Sequence, residues 1–130
     1  MEQITALTHP DNFNASNTGS SFDNRSDDKG PEPEGVVLGE AFGATLAFIG
    51  LERIGGVMIY DVGDPTTPVF QDYVNNRNFD ADPESPEAGD LGPEGLVFIH
   101  ASDSPNGEPL LVVANEISGT TTIYQVQSSE

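Results

Sequence analysis

Glu34 and Glu94 share one setting, Pro-Glu-Gly, which follows a carboxylate-rich run and leads into an apolar stretch, GVVLGE in the first case and GLVFIHA in the second. Proline fixes φ and glycine lets backbones approach closely, so the motif holds each carboxylate on a stiff entry to a buried strand. Hard oxygens gathered in this way suit Ca2+, which takes roughly six to eight oxygen ligands from carboxylates and carbonyls. Asp27, Asp28, Glu34, Glu52, Glu94 and Glu116 are the candidate metal ligands, and Ca2+ is the expected cofactor. The plainer alternative is that Glu34 and Glu94 accept backbone N–H bonds or pair with Arg53, stapling neighbouring parts of the fold together. EF-hand spacing is absent, because a loop starting at Asp23 would need glycine where Asp28 stands.

Other chemistry has little to work with. The chain lacks a G-x-S-x-G elbow, a P-loop, an H-E-x-x-H pair and a G-x-G-x-x-G turn, and its two histidines, His9 and His100, are isolated. His100 ends an apolar strand, where an imidazole is usually structural. The expectation is therefore a non-enzymatic, cation-binding module. A metal-dependent phosphoesterase whose rim metals activate water is the alternative. Asn14-Ala15-Ser16 and Asn24-Arg25-Ser26 fit the N-glycosylation pattern.

Charge sets the partners. Against 22 Asp and Glu stand 4 Lys and Arg, for a formal net charge of -18. Such a surface repels phosphate backbones and anionic lipid alike, so nucleic acid is excluded and divalent cations are favoured. The longest apolar run, ATLAFIGL, is far short of the roughly 20 residues that span a bilayer, so no membrane insertion is expected. There is no cysteine, hence neither a disulfide framework nor a thiolate metal site.

The elements that must position these carboxylates follow from an internal repeat. A shift of 60 to 64 residues aligns Pro33-Glu34-Gly35 with Pro93-Glu94-Gly95, Leu46 with Leu110, Glu52 with Glu116, and Ile59-Tyr60 with Ile123-Tyr124. Each copy reads as successive short strands: GVVLGE, TLAFIGLE, GGVMIYDV and PVFQDYV, then GLVFIHA, PLLVVANE and GTTTIYQV. The inner strands are uniformly apolar and the third alternates, so burial declines outward, as in a blade of a β-propeller. The expected fold is all-β, a partial β-propeller of just under two four-stranded antiparallel blades. Residues 1–8 are read as the outer strand of a preceding blade, 9–34 as an acidic inter-blade loop, 35–75 as the first blade, 76–94 as a second acidic loop and 95–127 as an incomplete second blade. In a meander of this kind the entry to the first strand and the turn between the second and third lie at the same end, which puts Glu34, Glu52, Glu94 and Glu116 on one rim. Closed propellers need about four blades, so the chain is expected to be a segment of a longer propeller or to assemble with other blades or copies of itself, strand edges being one route.

The blocks FDNRSDDKGPEPEG, LAFIGLERIGGVMIYDV, GDLGPEGLVFI and PLLVVANEISGTTTIY make the chain resemble the C-terminal portion of the choice-of-anchor I family, which is related to mesenchyme-specific cell surface glycoproteins. The resemblance implies an extracellular or surface-anchored β-propeller. Members are often labelled alkaline phosphatase-like, and the animal relatives are linked to calcified skeletons. Both associations point to calcium and biomineralisation, and neither carries over a catalytic residue.

Overall fold

The computed structural model describes residues 1–128. Seven strands form two antiparallel sheets. The first is a four-stranded meander of β1 (Pro33–Ala41), β2 (Ala44–Leu51), β3 (Val57–Asp61) and β4 (Val69–Val74), in that spatial order, and the second is a three-stranded meander of β5 (Pro93–Ile99), β6 (Leu110–Asn115) and β7 (Thr120–Gln125). This is the all-β, partial-propeller architecture expected from the repeat, with one full blade and one of three strands. The Pro-Glu-Gly motifs are the first residues of β1 and β5 rather than loop residues ahead of them. In both places the ladder is irregular over the motif, between Pro33 and Val36 and between Pro93 and Gly95.

The two sheets stack face to face through their inner strands β1 and β5. Alternation decides which residues meet: Val37, Ala41, Leu46, Phe48 and Val57 from the first sheet pack against Leu96, Phe98, Leu111 and Val113 from the second. Phe48 is fully buried, and its ring stacks on that of Phe98 at a centroid distance of 5.4 Å. Close approach is possible because Gly35 and Gly39 have no side chain. A Cβ on Gly35 would collide with the Glu94 carbonyl, and one on Gly39 with the Phe98 ring.

One expectation is corrected. Residues 1–8 are not a strand: Glu2–Thr8 form a short helix, α1. Met1 and Ile4, one turn apart, pack with Leu51, Ile54 and Met58 on the face of the first sheet turned away from the second, and Thr5 is buried on the same side. The segment is rich in residues that suit strands, but as a helix it closes its own backbone hydrogen bonds and needs no partner strand. Between α1 and β1 the chain makes a 3-10 turn at Pro10–Asn12 and a series of tight turns.

Candidate cation-binding rim

Four of the six predicted residues lie at one end of the stacked sheets. Glu34 and Glu94 open β1 and β5, while Glu52 and Glu116 begin the β2–β3 and β6–β7 turns. The two blades repeat the anchor that fixes this end: the Glu52 amide donates to the Glu32 carbonyl at 2.9 Å, and the Glu116 amide to the Gly92 carbonyl at 2.7 Å. Within each blade the carboxyls form a pair. Glu52 lies within hydrogen-bonding reach of Glu34, and Glu94 of Glu116, with Glu34 close enough to Glu94 to be felt across the sheets.

Like charges so placed resist ionisation. The Glu52 carboxyl is raised above the ordinary value of 4.5 by burial first, then by its hydrogen bond and like charge with Glu34, with Arg53 opposing. Glu94, exposed to solvent, is raised chiefly by its hydrogen bond and like charge with Glu116, with a smaller contribution from Glu34. Among the described residues, no group of three or more His, Asp or Glu side chains is gathered tightly enough to hold a metal ion. The rim therefore offers two carboxylate pairs, of the right hard-oxygen type for Ca2+ but without an all-protein cage.

The remaining two predicted residues stand apart from the pairs. Asp28 is exposed and forms an ion pair with Arg25 at 2.9 Å. Asp27 is exposed, and among the described residues no hydrogen bond or ion pair joins it to the four glutamates. Arg53 does not pair with Glu34 or Glu94. Its guanidinium lies 2.7 Å from Glu52 and 3.9 Å from Glu32.

Glu32, which sequence reasoning passed over, is the buried carboxylate of this end. It is 3% exposed, accepts two hydrogen bonds from Arg25 at 2.6 and 2.9 Å, and has Lys29 at 3.8 Å. Its backbone is left-handed, with φ of 51°, and at the position 60 residues on the chain has Gly92, with φ of 72°. That alignment was the available signal: a glutamate kept where the other copy has glycine needs its side chain for something.

Two more polar groups tie the inter-blade segments down. Arg77 is buried and donates to the carbonyls of Arg53 at 2.7 Å, Ile54 at 3.3 Å and Asn17 at 2.7 Å, with its guanidinium 4.3 Å from the centre of the Phe79 ring. Burial lowers its pKa to about 10, which still leaves it charged at neutral pH. Asp90 receives hydrogen bonds from Thr120 and Thr122 of β7 and from Asn76. Burial alone would raise its carboxyl, but these three donors hold it below the ordinary value. His9 packs edge-on to Tyr73 and beside Phe79, and His100, at the exposed end of β5, lies edge-on to Phe98. Of the two glycosylation-pattern asparagines, Asn14 is fully buried and donates to Glu2 and Ser26, whereas Asn24 is exposed.

The carboxyl pairs have a measurable pH signature. Glu52 and Glu94 bind protons more tightly folded than unfolded, so their contribution favours the fold below their unfolded values and is lost as pH rises through the raised folded ones. Asp64 and Asp90 act in the opposite sense: their contribution is present above the ordinary 3.8 and lost on further acidification. By themselves the two glutamates raise the melting temperature as pH falls from neutrality towards 4.5; His9, whose pKa burial and then Arg77 hold below the ordinary 6.5, lowers it over the same range, and the aspartates lower it below their ordinary value. The double variant Glu52→Gln, Glu94→Gln should remove the glutamate contribution to the upper limb, leaving the His9 decline there, and should keep the lower limb. Thermal melts across pH check this, and an unchanged upper limb in the variant would remove the pairs as its cause.

Gigasin-3a of Magallana gigas is 27% identical over 138 aligned positions, covering 98% of this chain and 49% of the relative, so the chain spans about half the relative's length. No solved structure matches. Among the described residues no helix is long and apolar enough to cross a membrane. A sequence model of the choice-of-anchor I domain matches residues 1–65, half of the chain. The chain belongs to the choice-of-anchor I family, whose domain marks a surface or extracellular protein.

Proposed function

We propose that the chain is a non-enzymatic β-propeller module of a surface or extracellular protein, and that its glutamate rim takes divalent cations, Ca2+ first among them. The observation that carries this reading is the repeated carboxyl pair, Glu34 with Glu52 and Glu94 with Glu116, each pair bearing one carboxyl whose ionisation its neighbour disfavours. A divalent cation between two such groups relieves the repulsion that protons otherwise relieve. A pair supplies up to four oxygens and solvent must complete the shell, so affinity belongs in the weak range of extracellular calcium modules, Kd on the order of 0.1–1 mM. Bound ions would stiffen the entry of each blade's inner strand against the following turn, and would lower the cost of holding a net charge of -18 in a compact shape.

The test is titration with CaCl2, followed by calorimetry and thermal melting against NaCl of matched ionic strength. At a free Ca2+ ten times Kd, binding stabilises the fold by about 1.4 kcal/mol, a shift of several degrees in Tm for a domain of this size. The variant Glu34→Gln, Glu52→Gln, Glu94→Gln, Glu116→Gln should abolish the calcium-specific part. Absence of heat and of any Tm rise beyond that given by NaCl, or an equal rise in the variant, would refute the proposal.

A further inference from the structure

The turn between β5 and β6 holds the one place in the chain where asparagine precedes glycine, Asn106-Gly107, and it lies at the end of the second sheet opposite the glutamate rim. The amide nitrogen of the residue after an asparagine can attack the side-chain carbonyl carbon and close a five-membered imide. Glycine, with no Cβ and a permissive backbone, obstructs that approach least. In a folded chain the reaction depends on exposure, on the hold over the attacking nitrogen, and on what faces the oxygen that takes up charge.

Asn106 and Gly107 are both exposed, and no atom lies within 4 Å of where a Gly107 Cβ would stand. The Asn106 Oδ1 accepts hydrogen bonds from the Ser104 hydroxyl at 2.6 Å and from the Glu108 amide at 3.1 Å. Negative charge develops on this oxygen as nitrogen adds to Cγ, so two donors already stand where the transition state needs them. The departing Nδ2 is held by no hydrogen bond among the described residues. The attacking Gly107 amide is restrained by a bond to the Ser104 carbonyl that is long, at 3.3 Å, and sits in an exposed turn, where local opening costs little. Other asparagines lack this combination. Asn14 and Asn115 are buried, Asn76 donates to Asp90, and Asn24, though exposed, precedes Arg25, whose side chain crowds the attack.

We infer that Asn106 is a site of spontaneous modification, converted to aspartate and isoaspartate in the folded chain, with Ser104 as the residue that positions and polarises its amide. The Gly107 nitrogen forms a bond to Asn106 Cγ and gives up its proton, and Nδ2 departs with it as ammonia. Water then opens the imide. Attack at Cγ breaks the new bond and leaves aspartate, while attack at the Asn106 main-chain carbonyl carbon breaks the original peptide bond and leaves isoaspartate, whose main chain runs through Cβ and Cγ. One water is consumed and one ammonia released, with no change of oxidation state. Each conversion adds a negative charge to a chain already at -18, and the isoaspartate form lengthens the turn by one carbon. The β5–β6 ladder closes at Ile99 with Leu110, outside the turn, so the sheet keeps its register and the altered form accumulates with age as a folded protein.

Incubation of the full chain for weeks at physiological temperature and neutral pH, followed by peptide mass mapping, tests this. The peptide carrying Asn106 should lose one NH3 and gain one H2O, while peptides carrying the other asparagines stay unchanged. Endoproteinase Asp-N should cut only part of the converted product, because isoaspartate resists it. Ser104→Ala removes one donor from Oδ1 and should slow conversion by about two- to tenfold, the worth of one hydrogen bond. Ser104→Thr, which keeps the hydroxyl, should convert like wild type. The difference between wild type and Ser104→Ala should vanish in urea, where the turn is lost, a change that a residue merely filling space would not produce. An Asn106 that stays intact in the folded chain overturns the inference, as does a folded Ser104→Ala protein that converts as fast as wild type. Neither outcome touches the cation reading, which calcium titration probes at the opposite end of the sheets.

Discussion

Phe48→Ala is expected to destabilise the fold by about 3–5 kcal/mol, a cost that a domain of typical total stability, roughly 5–15 kcal/mol, barely survives. Phe48 is wholly buried at the centre of the contact between the two sheets, flanked by Leu46, Val57, Leu111 and Val113 and stacked on Phe98. Deleting the ring removes the transfer free energy of its carbons and opens a cavity that cannot collapse, because the β1 backbone beside it is already in contact with β5. The two blades share little besides this core, so the loss should also separate them. Urea unfolding of the variant should show a lower midpoint together with a shallower slope, the sign that the sheets no longer unfold as one unit. Phe98→Leu is the graded control: it keeps most of the packing volume, loses the stacked ring, and should cost less than half as much. A Phe48→Ala protein with wild-type midpoint and slope would mean that the inter-sheet core does not hold the blades together.

What the amino-acid sequence disclosed and what it withheld have separate physical causes. The meander is written in period-two alternation and in the Gly, Pro, Asn and Asp that interrupt it, both local properties, and β1 to β7 fall where those signals lie. The rim followed from topology alone: in an up-and-down sheet, strand entries and alternate turns share an end, which brought Glu34, Glu52, Glu94 and Glu116 together from positions spread over 83 residues of chain. Helix α1 was not visible because a seven-residue segment with Ile and three Thr or Ala has no strong preference, and its state is decided by Met1 and Ile4 finding Leu51 and Met58 far along the chain. Asp27 and Asp28 looked like rim ligands because the run that carries them leads to Glu34. Turns in that run instead point Asp28 at Arg25, inside its own loop. Arg77 shows the same limit, since the carbonyl it holds on Asn17 lies 60 residues away. Its neighbours in sequence carry no hint of that contact.

Glu32→Gln should produce the second large effect, and it follows from the same distinction between position and role. The side chain is nearly isosteric, so the change isolates the charge. Glu32 joins three cations, Arg25 and Lys29 from the acidic loop and Arg53 from the β2–β3 turn, while its carbonyl receives the Glu52 amide. Removing one partner of a buried pair costs roughly 3–5 kcal/mol, and the low end is expected because the Arg25 and Arg53 side chains, 23% and 28% exposed, can recover water. The left-handed backbone at Glu32, with φ of 51°, favours glycine, but glutamate and glutamine carry that strain alike, so it cancels from the difference between wild type and Glu32→Gln. The loop ahead of β1 should loosen first, and trypsin reports it directly, because Arg25 and Lys29, two of the four basic residues in the chain, are both held by Glu32. Cleavage after Arg25 and Lys29 should accelerate by at least tenfold, the ratio that corresponds to about 1.4 kcal/mol of easier local opening. Glu32→Gly separates the two contributions: it restores the residue that stands at Gly92 in the second blade, relieves the strain, and should lie between wild type and Glu32→Gln in melting temperature. If all three proteins melt together and are cut at the same rate, the buried carboxylate does not anchor the loop. The rim glutamates would then owe their placement to the strand entries alone.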